Sequence, residues 1–165
     1  MGTLLARLLI VLTFFIFVGQ AKADIVIQDE DPGGLVSTYT MWWRRIADAG
    51  DRVIIDGECV SACTYLMNLV PNDRVCMTER GSFGIHMARL AGEDEGSPEI
   101  TDRMEALYYP TWFRNWIIAN VPNRSLDVVF VKPDVFVKAG YYKMCPPKDS
   151  DHPDKDWIDK LAEMW

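Results

Sequence analysis

The chain has 165 residues, with 17 Lys and Arg against 24 Asp and Glu and a formal net charge of −7. This length predicts one domain that can bury a real hydrophobic core. The acidic balance argues against nucleic acid or an anionic membrane surface as a partner.

The first segment has the pattern of a cleaved export signal, residues 1–23. Arg7 supplies a positive start, Leu8–Val18 form an apolar run of about eleven residues, and Ala21-Lys22-Ala23 matches the small-x-small cleavage pattern. The run is shorter than the ~20 residues that a spanning helix needs; an uncleaved N-terminal anchor is the alternative. Cleavage leaves 15 basic and 24 acidic residues, a net charge of −9, in a periplasmic or secreted protein.

Residues 24–146 predict alternating strands and helices, separated by Gly and Pro turn signals. This alternation is typical of an α/β fold with βαβ units and a mostly parallel sheet. Residues 147–165 predict a polar linker and a short terminal helix. The predicted strands are Asp24–Gln28, Val53–Ile55, Val75–Met77, Ser82–His86 and Val128–Val131. The predicted helices are Leu35–Ala49, Ser61–Val70 and Glu99–Asn120, and Val135–Tyr142 predicts a short helix or a turn.

Local signals refine several of these elements. Gly50 is placed as the C-cap of the first helix, and Pro110 predicts a kink or a break in the long one. Residues 57–60 read as a turn. The predicted inner positions of the first helix are Met41, Trp42, Ile46 and Ala49.

Four cysteines, Cys59, Cys63, Cys76 and Cys145, remain after the signal. An even count in an exported chain predicts disulfides, with three possible pairings. A zinc site is the weaker alternative, because there is no Cys-x-x-Cys pair and the chain has only two histidines. The sequence therefore predicts no metal and no cofactor.

Three features fall at the carboxyl ends of predicted strands, where parallel sheets place their sites. Ser61 opens a helix after a Gly turn, where a serine is either an exposed nucleophile or an ordinary N-cap. His86, 25 residues later, is either a general base or a structural histidine. Gly33-Gly34 let a backbone approach a substrate carbonyl, or form an ordinary turn.

A third residue is needed to orient the imidazole in a catalytic triad. The carboxylates beyond His86 that the sequence offers are Asp102, Asp127 and Asp134. Each has the alternative of being a surface charge or a turn residue.

Three motifs in order carry a resemblance to a known family: VIQDEDPGG at Val26–Gly34, VIIDGECVSACT at Val53–Thr64, and GIHM at Gly84–Met87. They resemble the proteolytic subunit of Clp protease and, more closely, the exported Clp-protease-like proteins of proteobacteria that carry Gly-x-Cys-x-Ser-Ala-Cys-Thr. The resemblance spans Ile25–Cys145 and implies a ClpP/crotonase-like fold. The mature chain that cleavage of the predicted signal would leave starts at the strand before Pro-Gly-Gly. We therefore expect a version of this fold that is shortened at its N-terminus.

The resemblance implies a role for each matched residue. Ser61 takes the place of the nucleophile, His86 that of the base, and Ala62 and one of Gly33 and Gly34 those of the oxyanion-binding N–H groups. Residues 132–140 resemble the family's Asp-x-Phe-x-x-Ala segment, which implies Asp134 as the acid. The family's His-Gln-Pro step is His86-Met87-Ala88 here, a departure in the substrate groove.

The leading functional hypothesis is an exported serine hydrolase, a peptidase acting on peptides or small unfolded proteins without an ATP-driven unfoldase. The second is a non-catalytic binding or assembly module on the same fold. Trp42 and Trp43 are adjacent and cannot both face inward, and an exposed aromatic side chain favours a contact with a partner, so a homo-oligomer is expected. An acyl-thioester enzyme is the remote third reading.

Overall fold

The computed structural model describes residues 22–146. Most of the predicted signal (residues 1–21), the predicted linker and terminal helix (147–165) and His152 lie outside the described residues. None of the helices that the structure describes is long and apolar enough to cross a membrane.

The described chain is an α/β arrangement of short strands and five α-helices. Two short 3-10 helices, Ser61–Tyr65 and Asn72–Arg74, join neighbouring elements. In chain order the elements are β1 (Asp24–Ile27), β2 (Glu30–Asp31), α1 (Val36–Ala49), β3 (Arg52–Ile55), β4 (Glu58–Val60), α2 (Leu66–Leu69), β5 (Val75–Met77), β6 (Ser82–Ile85), α3 (Pro98–Tyr108), α4 (Thr111–Asn120), β7 (Val129–Val131), α5 (Pro133–Lys138) and β8 (Lys143–Met144).

The strands form two four-stranded sheets. The first has the order β1-β3-β5-β8, and all of its pairs are parallel. The second has the order β2-β4-β6-β7, in which only the β6–β7 pair is antiparallel. The predicted mostly parallel α/β architecture is therefore confirmed at the level of fold class.

The chain passes from one sheet to the other at three equivalent steps. β1 leads into β2, β3 into β4, and β5 into β6, each across a short connection. The second sheet thus receives three consecutive parallel strands, whose carboxyl ends meet at one edge. Asp31, Val60 and Ile85 end those strands, which brings the residues that follow them together.

Helix α1 covers the core through a face that differs from the predicted one. Trp43 and Ile46 are fully or almost fully buried, whereas Met41 is 53% exposed and Trp42 36% exposed. Of the predicted inward positions, Ile46 is confirmed, whereas Met41, Trp42 and Ala49 were wrong, since all three are exposed. The apolar run at Met41–Trp43 is continuous, so its periodicity does not select a face. The predicted C-cap is confirmed: Gly50 adopts φ 79° and its N–H donates to the carbonyl of Ala47.

Two other predicted elements differ from the observed ones. Residues 58–60 form strand β4 rather than a turn, and the predicted helix Ser61–Val70 is a 3-10 turn followed by one α-helical turn. The predicted break in the long helix is confirmed, because two helices flank Pro110. Proline lacks the N–H that a continuous helix needs at that position.

Both cysteine pairs lie at disulfide distance. Cys59 and Cys63 bracket Ser61, and Cys76 of β5 joins Cys145 just after β8. The described residues contain no free cysteine. Disulfides persist in oxidising compartments, so this pairing is compatible with a location outside the cytoplasm.

Candidate functional site

The turn after β4 holds Ser61 in an unusual backbone conformation. Ser61 has φ 57°, and it is the single non-glycine residue with positive φ in the described part of the chain. Such a conformation costs of order 1–3 kcal/mol and persists where surrounding structure fixes it. The Cys59–Cys63 bridge closes around this turn, and Thr64 Oγ1 donates to the carbonyl of Ser61 at 2.5 Å.

This geometry separates Ser61 from an ordinary helix-capping serine. Val60, not Ser61, occupies the N-cap of the 3-10 turn, and no side chain caps that turn. The hydroxyl of Ser61 makes no hydrogen bond to any described residue, including His86. Its side chain instead lines an open cleft on the protein surface.

Gly33 packs directly against the Ser61 turn. A Cβ atom on Gly33 would lie 2.5 Å from the carbonyl oxygen of Val60, 2.8 Å from the Ser61 Cβ and 2.9 Å from the Ala62 nitrogen. Gly33 also has φ 76°. Glycine is therefore required here twice, by its conformation and by the close approach of the two turns.

The two turns differ in which backbone N–H groups they leave free. The Gly33 N–H donates to Asp31 Oδ1 at 2.9 Å. Neither the Gly34 N–H nor the Ala62 N–H has an acceptor among the described residues. Among the three predicted oxyanion-binding residues, Gly34 and Ala62 therefore keep a free N–H, whereas Gly33 does not.

His86 follows β6, the strand that pairs with β4. In that parallel pair Val60 lies opposite Gly84, so Ser61 and His86 come one step apart at the ends of strands spaced 4.7–4.9 Å. His86 Nδ1 lies 2.8 Å from the Met87 carbonyl oxygen. Because a carbonyl only accepts, Nδ1 carries the proton and Nε2 of the neutral ring is free to act as a base.

One cleft of about 850 Å³ unites these groups. Ser61, His86, Gly33 and Gly34 all line it. Its walls also include Leu35, Val36, Tyr65, Ile100 and Met104, and its rim includes the residues Arg89–Asp94. Four of the six predicted site residues, from three separate strand ends, therefore line one cleft, whereas Ala62 and Asp134 do not.

The predicted acid, Asp134, lies elsewhere. It is in the first turn of α5, it does not line the cleft, and its carboxylate accepts from Lys138 Nζ at 2.9 Å. That hydrogen bond holds the pKa of Asp134 below its usual value. In this structure Asp134 bonds to Lys138 and His86 bonds to the Met87 carbonyl, so no hydrogen bond joins Asp134 to the imidazole.

The other two carboxylate candidates are both associated with the loop that precedes β7: Asp127 is part of it, and Asp102 contacts it through Arg124. Asp127 and His86 line the same small cavity, and Asp127 Oδ2 accepts from Ser125 Oγ at 3.2 Å. Asp102 instead pairs with Arg124 at 2.7 Å. In the β6–β7 ladder Ile85 is opposite Val129, which brings Asp127 alongside the residues that follow Ile85.

Two side chains near the site, Glu105 and Tyr65, have a raised pKa. Burial raises the pKa of Glu105, on α3, against the opposing effect of the Arg124 guanidinium 3.3 Å away. Burial, followed by neighbouring Tyr108 and Glu105, raises the pKa of Tyr65 to about 12, so its hydroxyl is neutral at ordinary pH. Glu105 and Arg124 line the cavity behind His86, and Tyr65 lines the cleft in front of it.

Two contributors to the site were missed from sequence. The Met87 carbonyl is a backbone group, for which no side-chain signal exists. Asp31 was read only as part of a turn, although an Asp two residues before a glycine is a recognisable acceptor for that glycine's N–H.

No cluster of three or more His, Cys, Asp or Glu that could hold a metal ion occurs within the described residues. No protein-family model matches the chain, and the comparison with curated proteins gives no match either.

Proposed function

We propose that this chain is an exported serine hydrolase of the peptidase type, with Ser61 as nucleophile and His86 as general base. The observation that supports it most is the left-handed backbone of Ser61 at a strand end, with its hydroxyl in a cleft shared with His86. Glycine adopts a positive φ without this strain, so a serine held in this conformation supports a role for its side chain.

The proposed reaction follows the usual order of acyl transfer. Ser61 Oγ attacks the substrate carbonyl carbon while His86 Nε2 takes the hydroxyl proton. The carbonyl oxygen becomes an oxyanion held by the N–H groups of Gly34 and Ala62. His86 then gives the proton to the leaving amine, and water repeats the sequence to release the acyl group from Ser61.

The group that orients His86 is proposed to be the Met87 carbonyl, assisted by Asp127. The carbonyl already holds the Nδ1 proton, and Asp127 lines the cavity behind the ring. A carboxylate there stabilises the imidazolium that forms during attack. The family resemblance implies Asp134 as the acid instead, and this remains a competing prediction. Substituting Asp127 and Asp134 separately distinguishes the two.

The proposed substrates are peptides or small unfolded proteins. The cleft is open, and apolar side chains from two elements line it, Leu35 and Val36 at the start of α1 and Ile100 and Met104 on α3. Such a lining suits an extended peptide chain. No ATP-driven partner is part of this proposal, since such unfoldases act in the cytosol.

The test is labelling with a fluorophosphonate probe, which reacts with an activated serine. We expect the wild-type protein to be labelled at Ser61, and Ser61→Ala and His86→Ala to lose the label. Ser37→Ala is the matched control, because Ser37 lines the same cleft without a place in the reaction. Labelling that survives Ser61→Ala excludes the assignment.

A non-catalytic binding or assembly module is the second candidate. The observation that favours it is the lack of a hydrogen bond between Ser61 and His86, together with exposed apolar side chains on strand β7, Val129 at 37% and Phe130 at 41%. A folded protein that resists the probe and has twice the monomer mass in solution would favour this module over the hydrolase.

A further inference from the structure

We propose that Asp31 and Tyr39 are positioning residues that set the Gly33-Gly34 turn for oxyanion binding. This inference rests on the proposed function, and it assigns a role to two side chains outside the Ser61–His86 pair. Neither side chain was predicted to contribute from the sequence.

The central observation is one carboxylate oxygen with two donors. Asp31 Oδ1 accepts from the Gly33 N–H at 2.9 Å and from the hydroxyl of Tyr39. Asp31 is the last residue of β2, whereas Tyr39 lies in the first turn region of α1. The carboxylate therefore ties the strand, the turn and the helix to one atom.

The bond to Gly33 decides which N–H faces the cleft. With its N–H directed at Asp31, Gly33 is removed as an oxyanion donor, and the next N–H, that of Gly34, remains without an acceptor in the described structure. The same bond supports the φ of 76° that lets Gly33 approach Ser61. Losing it frees the turn to rotate the Gly34 N–H away.

Tyr39 fixes the carboxylate itself. Its hydroxyl is a lasting donor, since burial and the adjacent Asp31 carboxylate raise the pKa of Tyr39 above its usual value. The Tyr39 ring lies edge-on to Trp42 at 6.1 Å between centroids. That contact limits the movement of the ring, so the hydroxyl reaches Asp31 from a fixed direction.

The experiment measures the rate of fluorophosphonate labelling, resolved into probe binding (KI) and bond formation (kinact). We expect kinact to fall about tenfold in Tyr39→Phe and up to about 100-fold in Asp31→Ala, with KI little changed. Asp31→Asn keeps a carbonyl acceptor in the same place, so we expect it to restore kinact to within about threefold of wild type.

Tyr141→Phe is the matched control. It also removes a tyrosine hydroxyl bond, to the carbonyl of Met67 at 2.5 Å, outside the cleft. We expect its kinact to equal that of wild type. The proposal is overturned if Tyr39→Phe labels as fast as Tyr141→Phe, or if Asp31→Asn is as slow as Asp31→Ala while both remain folded.

A second measurement does not depend on activity. Amide hydrogen exchange at Gly33 should be faster in Tyr39→Phe and Asp31→Ala than in Tyr141→Phe, because its acceptor is loosened or lost. Unchanged exchange overturns the positioning role. A wild-type protein that the probe does not label rejects the proposed function alone, and the exchange result then still decides on Asp31 and Tyr39.

Discussion

At the scale of single residues, the site depends on two backbone conformations that most side chains avoid. Ser61 and Gly33 both have positive φ, and they face each other across a gap too small for a Cβ on Gly33. Their positions could be predicted from sequence as a Gly turn and a helix start. The conformation of Ser61 could not, because serine carries no signal for positive φ.

Gly33→Ala tests this fit. An added Cβ would lie 2.5 Å from the carbonyl oxygen of Val60, so one of the two turns must move. We expect probe labelling to fall at least about 100-fold and the thermal midpoint to drop. Gly140→Ala is the control, since Gly140 also has positive φ, has no atom within 4 Å of its Cβ position and does not line the cleft. Equal labelling in the two variants would contradict the fit.

The acid assignment gives a second test at this scale. We expect Asp127→Asn to slow labelling by roughly tenfold or more, because it removes a carboxylate from the cavity that His86 lines. We expect Asp134→Asn to leave labelling unchanged, since that carboxylate pairs with Lys138. The reverse result would support Asp134 and the resemblance from which it was predicted.

At the scale of elements, sequence patterns were most informative where an element is long and bounded by Gly or Pro. Helix α1 and its Gly50 cap were predictable, as was the break at Pro110. Strand β4 was not, because a three-residue strand that follows a glycine looks like a turn. That strand carries Ser61 into the site, so the site was predicted with its supporting element missing. The identity of the buried face of α1 required tertiary packing to choose between Trp42 and Trp43.

The Cys59–Cys63 bridge constrains a single turn, so removing it should change the labelling rate at Ser61 more than the free energy of unfolding. Its two cysteines are only four residues apart, so the chain-entropy effect is about 2 kcal/mol. We expect the Cys59→Ala/Cys63→Ala double variant to stay folded but to be labelled at least about tenfold more slowly. Undiminished labelling would show that packing alone holds Ser61.

Glu105 predicts a pH dependence for the contact between α3 and the loop before β7. Its pKa is raised in the folded protein, so the stability contributed by its neutral form is present at low pH and is lost as the pH rises through the folded-state pKa. We therefore expect the stability of Glu105→Gln relative to wild type to increase between pH 4 and pH 8 in denaturant unfolding. Glu99→Gln, an exposed change on the same helix, is the control. A difference that stays constant with pH would contradict this role.

At the scale of the whole molecule, short connections carry the chain from the first sheet to the second three times, and the last strand returns to the first sheet. β8 pairs with β5, and the Cys76–Cys145 bridge covalently secures that pair. The mostly parallel architecture could be predicted from the alternation of strands and helices. The division into two sheets could not, because it depends on which short strands pair.

The Cys76–Cys145 bridge should therefore contribute to global stability. It closes a loop with a sequence separation of 69 residues, for which the chain-entropy effect is about 4 kcal/mol. We expect Cys76→Ala/Cys145→Ala to lose several kcal/mol of unfolding free energy while the folded fraction keeps its labelling rate. The Cys59→Ala/Cys63→Ala variant is the natural comparison, with the opposite balance of effects.

The separation of the two bridges along the chain also bears on how the protein acquires them. During synthesis Cys59, Cys63 and Cys76 all emerge long before Cys145. Until β8 arrives, Cys76 has no native partner and competes for the same oxidant as the nearby pair. The native pairing thus requires either that the short bridge closes first, or that a disulfide isomerase corrects early errors. The yield of correctly bridged protein should then depend on the redox poise in which the chain matures, as well as on its sequence.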